Sequence, residues 1–352
     1  MFKLSSETLA LIEDIEKRID PDMEEDFKNQ WKNFLDGNFE GAIFQPQRKK
    51  LSRSELDLKP ININDAIVDY DLMLRSQLLG VSSALNSQAA NLSIRANYGT
   101  GIMTSLFGAK IFSMPRSTNT LPTTHSFDDT EIIRDILSRG MPDTSTGFGK
   151  NVFNFAEICK EAFAKYPKIS KYLYVYHPDY QGPLDVCELL WGGEMFYAMY
   201  DEPELVHDML SLITETYTVM MNKWFEYFKP SDDIKPHWGH FWHKGNLVLR
   251  GDSAMNLSPE FYDEFSVPYD TILLERFGGG VMHFCGKGDH YIESLAAIPG
   301  INAINMSQPH YNDMEKIYQN TVDRGIMILG FIKDRALKDQ DREGGFHHRL
   351  SV

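Results

Sequence analysis

The apolar positions of the first hundred residues recur at helical spacing. Leu4, Leu11, Ile12, Ile15 and Ile19 share one face, with Thr8 interrupting the stripe. Met23, Phe27, Trp31, Phe34 and Leu35 line a second segment, and Pro21, which lacks a backbone donor, separates the two. A further stripe of Ile67, Tyr70, Leu74 and Leu78 predicts a helix from Ile63 to about Leu85. Residues 97 to 124 mix glycine, proline and apolar positions and read as strand fragments joined by loops, while Gly140 to Lys150 reads as a second loop region.

From residue 169 the pattern becomes regular. Ile169 to His177 is an apolar, aromatic run suited to a strand that stops at Pro178. A helix carrying Val186, Leu189, Leu190 and Met195 follows, and a longer one spans Pro203 to Phe228. Trp238 to Val248 suits a strand or short hairpin, and Pro259 to Phe277 a helix capped by Ser258 with proline as its first residue. The short apolar runs GGGVMHFC, INAINM and GIMILGF then alternate with helical stretches at Asp289 to Ala297 and Asn312 to Asp323. Short apolar strands separated by helices predict a parallel sheet buried on both faces. No GxGxxG motif follows an early strand, and the length suits eight βα units of about 250 residues. The expected fold is therefore α/β: a (β/α)8 TIM barrel over residues 96–352, with an N-terminal helical extension over residues 1–95 packed on it as one structural domain.

Charge narrows the partners. The chain carries 35 Lys and Arg against 50 Asp and Glu, a net charge of −15, so nucleic acid and anionic membrane surfaces are disfavoured. The one basic cluster, Arg48, Lys49, Lys50 and Arg53, is flanked by acidic residues and reads as a solvated surface. Acidic residues interrupt every apolar stretch near the N-terminus, so no signal peptide is expected, and no run of about twenty apolar residues could span a bilayer. Three cysteines, Cys159, Cys187 and Cys285, are too few for a disulfide scaffold and suit a cytoplasmic protein.

The strongest chemical signal is Gly278 to Gly286, GGGVMHFCG. On a strand, Val281, His283 and Cys285 face one way and Met282 and Phe284 the other, with the His283 and Cys285 Cα atoms roughly 6.6–6.8 Å apart. Imidazole and thiolate at that spacing can converge on a zinc ion, yet two ligands fall short of the three usual at a catalytic site. The same residues also suit a core histidine bonded to backbone beside an inert cysteine. A second cluster, from Tyr176 to Pro183, places His177, Asp179 and Tyr180 where a strand turns into a helix. There His177 and Asp179 could bind substrate or pass a proton, or could satisfy loop amides. A third cluster contains His237, His240, His243, Arg250 and Asp252. Asp252 could take a proton, orient a histidine or cap a loop. Asn302, Asn305, Ser307, Gln308 and His310 form a polar rim after the next strand, and His347 and His348 lie near a C-terminus that would by default fray.

Taken in order, Tyr98-Gly99, Leu106-Phe107-Gly108, Asp179 with Gly182-Pro183, Asp252 before Leu257-Ser258-Pro259-Glu260, Pro268-Tyr269 and His283-Phe284-Cys285-Gly286 resemble the uroporphyrinogen decarboxylase superfamily over roughly residues 95–335. The resemblance is nearest its corrinoid-dependent methyltransferases. It implies a barrel, often a homodimer, with a pocket at the carboxyl ends of the strands. It also implies zinc on His283 and Cys285, and methyl transfer from a methylcorrinoid carried by a partner protein to a small-molecule thiol. Asp179, His177 and Asp252 would be catalytic, and Tyr98, Tyr180, His240, Asn305 and Gln308 would bind substrate. Cys285 is the last cysteine, so the branch's third thiolate ligand has no counterpart; His310, His347 or His348 could replace it, or the site could be metal-free. Decarboxylation of a tetrapyrrole is the alternative activity, although the arginine-rich loop of those decarboxylases is absent. A non-catalytic corrinoid or tetrapyrrole binding protein is the third reading.

Overall fold

The computed structural model describes residues 2–57 and 59–352. Its strands are short: β1 (Ser93–Ile94), β2 (Ile111–Phe112), β3 (Thr123–Thr124), β4 (Tyr174–Val175), β5 (Ile234–His237), β6 (Phe241–Lys244), β7 (Leu247–Arg250), β8 (Gly280–Phe284), β9 (Ile301–Met306) and β10 (Met327–Ile328). Among the described residues they form four separate sheets. Three have two strands each, parallel β1–β4 and antiparallel β2–β3 and β5–β6; the fourth is parallel, in the order β10-β9-β8-β7.

The expected TIM barrel, a single closed sheet of eight parallel strands, is thus not formed. Its βα alternation holds only from β7 onward, where strand and helix follow each other at regular intervals. Upstream, the run assigned to a strand from Ile169 is largely helical: Pro167 opens a helix over Pro167–Tyr172 whose Ile169 and Tyr172, three residues apart, are buried on one face. Only two residues of the run remain for β4. The hairpin β5–β6 runs antiparallel and cannot contribute a βα unit.

Other boundaries shift for local reasons. The helix predicted from Ile63 breaks into Ile63–Ala66 and Tyr70–Ala84, because the Asp69 carboxylate accepts the Asp71 and Leu72 amides at 2.8 and 3.1 Å and starts a new helix. The helix predicted from Pro259 divides at Ser266 into Pro259–Phe265 and Val267–Phe277, since Pro268 cannot continue a hydrogen-bonded turn. Ser258 caps the first of these as expected, its Oγ accepting the Phe261 amide at 3.3 Å. The C-terminus does not fray. Leu350 bridges Ile328 at the edge of β10, and Ser351 bridges Phe44.

Register within the four-stranded sheet sets out the site in layers. Val248, Val281 and Ala303 lie side by side on β7, β8 and β9, as do Arg250, His283 and Asn305 two residues further on. Side chains alternate along a strand, so both rows face the same way. The first row packs with Trp31, Phe34, Phe44 and Phe241 into an apolar layer, to which the helix Pro21–Leu35 supplies Trp31 and Phe34. Phe34 stacks on Phe44 with ring centres 4.4 Å apart. Beneath the sheet, Leu249, Met282, Phe284, Ile304 and Met306 bury against the helices. At Gly280 the strands approach so closely that a Cβ would lie 2.0 Å from the Leu247 carbonyl oxygen, so only glycine fits.

The basic cluster near residue 48 is structural. Arg48 is buried, pairs with Glu24 and donates to the carbonyls of Ala84, Ser87 and Ala90, while Lys49 and Lys50 pair with Asp26 and Asp20. Among the described residues no helix is long and apolar enough to cross a membrane.

Candidate functional site

The polar rows of the sheet open onto a cavity of about 910 Å³, lined by Arg95, Asp179, Trp238, His240, His283 and Asn305 among others. Its floor is a short chain of hydrogen bonds with a fixed direction. The Asn305 amide nitrogen donates to the Leu329 carbonyl at 2.6 Å, which leaves the amide oxygen facing His283 Nδ1, also at 2.6 Å. A carbonyl accepts only, so the proton between the side chains belongs to His283 Nδ1. The Nε2 lone pair is therefore presented on the other side of the ring.

That lone pair meets two further donor groups. Cys285 Sγ lies 3.4 Å from His283 Nε2, and Asp252 Oδ1 lies 3.8 Å from it. One ligand atom from each of Asp252, His283 and Cys285 falls within 4.8 Å of the others, and among the described residues this is the one group of three or more such side chains close enough to hold a metal ion. The same two-residue alternation explains it: Asp252, Cys285 and Ser307 follow Arg250, His283 and Asn305 by two positions. The Cys285 amide donates to Asp252 Oδ1 at 2.7 Å, and Ser307 Oγ is 3.5 Å from the Cys285 sulfur. Asp252 is positioned in turn by Asp185, whose carboxylate accepts the Asp252 and Ser253 amides at 3.0 and 2.8 Å.

Electrostatics favour neutral nitrogen and protonated sulfur in this cluster. Burial holds the His283 imidazole below its ordinary range despite the nearby Asp252 carboxylate, and burial, with Asp252 adding to it, pushes the Cys285 thiol up to about 11. Burial and the Asp252 charge push the Asp185 carboxyl well above its ordinary range, so two adjacent negative charges are disfavoured there.

A second polar group forms one wall. Asp179 pairs with Arg95 at 2.6 Å and with Arg250, and accepts the Trp238 indole N–H at 3.1 Å. Burial alone would raise the Asp179 carboxyl, but the guanidinium groups of Arg250 and Arg95 outweigh it and hold the carboxyl below its ordinary value. The two guanidinium groups thus compensate the Asp179 charge, and Arg95 and Asp179 line the cavity as a pair. Arg250 stacks on Trp238 at 4.7 Å, and the Trp238 and His283 ring centres are 4.8 Å apart. Trp238 takes a left-handed backbone conformation, φ 48°, in the β5–β6 turn, a strain of roughly 1–2 kcal/mol. Its ring is thereby wedged between the ion pair and the imidazole.

The residues expected from sequence divide accordingly. Asp252, His283 and Cys285 converge; Asp179, His240 and Asn305 border the same cavity. Tyr98 and Tyr180 are core residues, packed on Phe148 and Tyr217. Gln308 accepts the Gly286 amide at 2.6 Å and so anchors the loop after β8. His310 is exposed and lies at a tilt against Tyr311; His347 pairs with Asp323, and His348 donates to the Gly41 carbonyl. None of these three histidines joins the cluster. Arg95, Asp185 and Trp238 were missed. Asp185 stands two residues after Gly182-Pro183, which was the available signal, whereas nothing in the sequence marks Arg95 or Trp238.

His177 is held by backbone at both ring nitrogens: Nδ1 donates to the Pro178 carbonyl at 2.9 Å and Nε2 accepts the Val248 amide at 3.0 Å. Burial, reinforced by Arg250, pushes its pKa down to about 4. An unfolded chain would bind that proton near pH 6.5. Stability should therefore be complete above about pH 6.5 and fall as the pH drops toward 4, by about 3 kcal/mol for this residue. Urea denaturation of the native protein and of His177→Gln at several pH values checks this; equal pH slopes for the two would contradict it.

No family model matches the chain, and no curated protein matches it. Among solved structures, a methyltransferase from Methanosarcina mazei is similar to it in fold, with a TM-score of 0.61 at 14% sequence identity over 92% of this chain and 91% of that one. The two chains share a fold. This likeness is one of architecture and does not single out the corrinoid-dependent branch of the uroporphyrinogen decarboxylase superfamily.

Proposed function

We propose that this protein is a methyltransferase in which His283, Cys285 and Asp252 hold a zinc ion and the adjoining cavity receives a small thiol, methylated from a methylcorrinoid partner protein. The observation that carries the reading is the convergence of three ligand atoms around an imidazole lone pair whose direction is fixed by Asn305. Nitrogen, sulfur and carboxylate oxygen are a donor set suited to zinc, and three protein ligands leave a fourth position for substrate. The methyltransferase fold of the Methanosarcina mazei protein is consistent with it.

A bound zinc ion would supply Lewis acidity that lowers the pKa of an incoming thiol. The chain's own residues do the rest. Asn305 holds the His283 tautomer, the Cys285 amide holds the Asp252 carboxylate, Asp185 holds the Asp252 backbone, and the Arg95–Asp179–Arg250 group fixes Trp238 as a wall beside the reacting position.

Native protein prepared without chelators should contain about one zinc per chain by elemental analysis. With methylcobalamin as donor, it should S-methylate members of a panel of small thiols, with products followed by mass spectrometry. Absence of stoichiometric zinc, or full activity after the metal is stripped, would overturn the proposal. Asn305→Ala should weaken zinc affinity roughly 10–100-fold, read by competition with a chromophoric chelator. An unchanged affinity would show that Asn305 does not set the imidazole.

A further inference from the structure

A second cavity, of about 450 Å³, lies on the other side of Tyr176 from the first, and Tyr176 is the one residue lining both. Its volume lies within the range of small-molecule sites, about 300–1,000 Å³. The walls are aromatic: Tyr174, Tyr176, Phe225, Tyr227 and Phe228 are each partly exposed around it, above the buried Trp224. Each of these rings packs on a neighbouring ring, and the part left exposed is apolar surface that a flat ligand would cover.

The charges around this cavity oppose those of the whole chain. Lys160, Lys171, Lys229 and Lys235 line it against a single carboxylate, Asp232, in a protein of net charge −15. Asp232 is already engaged by Lys28 at 2.9 Å and by the Tyr174 hydroxyl at 3.3 Å, and Lys171 by Glu25 at 2.8 Å. Lys160 and Lys229 form no ion pair among the described residues, and Lys235 donates to the Asp232 backbone carbonyl. Burial depresses the Lys235 ammonium, a cost that an anion beside it would offset.

We infer that this cavity is a second binding site, for a small planar aromatic carboxylate whose ring lies among Tyr174, Phe225 and Phe228 and whose charge meets Lys229 and Lys235. The inference does not rest on the metal centre, and the cavity shares no ligand atom with it. The Tyr176 hydroxyl accepts from Arg95 at 3.2 Å, so an occupant touching the Tyr176 ring would sit one residue away from the Arg95–Asp179 pair.

Naphthalene-2-carboxylate and its uncharged amide serve as probes, with binding to the full chain measured by calorimetry. The acid should bind at one site per chain, at least about tenfold more tightly than the amide. Lys229→Gln combined with Lys235→Gln should weaken the acid about tenfold and leave the amide unchanged, because both lysines are at least partly exposed and their removal leaves the rings in place. Phe225→Ala should weaken both probes. No saturable binding of the acid, equal affinity for acid and amide, or acid binding unaffected by the lysine substitutions would overturn the proposal. The last outcome would place the acid elsewhere, for example at Arg95 and Arg250.

Discussion

Replacing Cys285 by serine is expected to lower zinc affinity by more than about 100-fold and to abolish methyl transfer with it. Serine has nearly the same size, so the geometry of the strand end is kept. Its hydroxyl, however, does not ionise near neutral pH, and oxygen is a harder donor than sulfur. Cys285 is the one partly exposed cysteine; Cys159 and Cys187 are buried. Cys187→Ala therefore provides a control that removes a thiol without touching the cluster. Elemental analysis of the purified proteins gives the first readout and thiol methylation the second. Unaltered zinc content in Cys285→Ser, with retained activity, would remove the thiolate from the mechanism. The substitution is mild for folding, because the side chain lies beyond the last residue of β8, is partly exposed, and hydrogen-bonds only weakly to His283 and Ser307, at 3.4 and 3.5 Å.

The second large effect concerns stability. Arg250→Met should destabilise the fold by about 3 kcal/mol, because it leaves the half-buried Asp179 carboxylate with one of its two guanidinium partners. Arg250 also donates to the Tyr180 and Val248 carbonyls at 3.3 and 3.4 Å, so two buried acceptors lose their partner as well. The apolar methionine stem preserves much of the packing on Trp238. The loss is therefore chiefly electrostatic. Chemical denaturation measures it, and a double-mutant cycle with Asp179→Asn apportions it. Destabilisation below about 1 kcal/mol, or strict additivity with Asp179→Asn, would show that the pair is not the strut described here.

The legible part of the site was the part governed by one strand. Alternation along GGGVMHFC placed His283 and Cys285 on a common face, and the ring nitrogen and sulfur do meet. The sequence marks Asp252 as a residue that could orient a histidine or handle protons; its place beside His283 and Cys285 depends on the register between β7 and β8, which local pattern does not encode. His310, His347 and His348, the other histidines with the chemistry of a third donor, lie away from the cluster, whereas strand register brings the Asp252 carboxylate to it. His177 shows the opposite case. It stands at the end of an aromatic run where substrate groups often lie, yet its ring nitrogens are both taken by backbone of β7 and of its own loop.

The chain by itself determined the amphipathic N-terminal helices, the parallel βα run from β7 to β10, the Ser258 cap and the shared face of His283 and Cys285. Each of these follows from periodicity or capping among residues close in sequence. Only the tertiary structure decided that the strands divide into four sheets instead of closing into an eight-stranded barrel. It also joined Arg95, Asp179, Trp238 and Arg250 into one wall and brought Asp252 to the cluster. Those outcomes depend on pairings between segments tens of residues apart, where sheet closure, ion pairing and burial compete over the whole molecule and no local pattern records which one prevails.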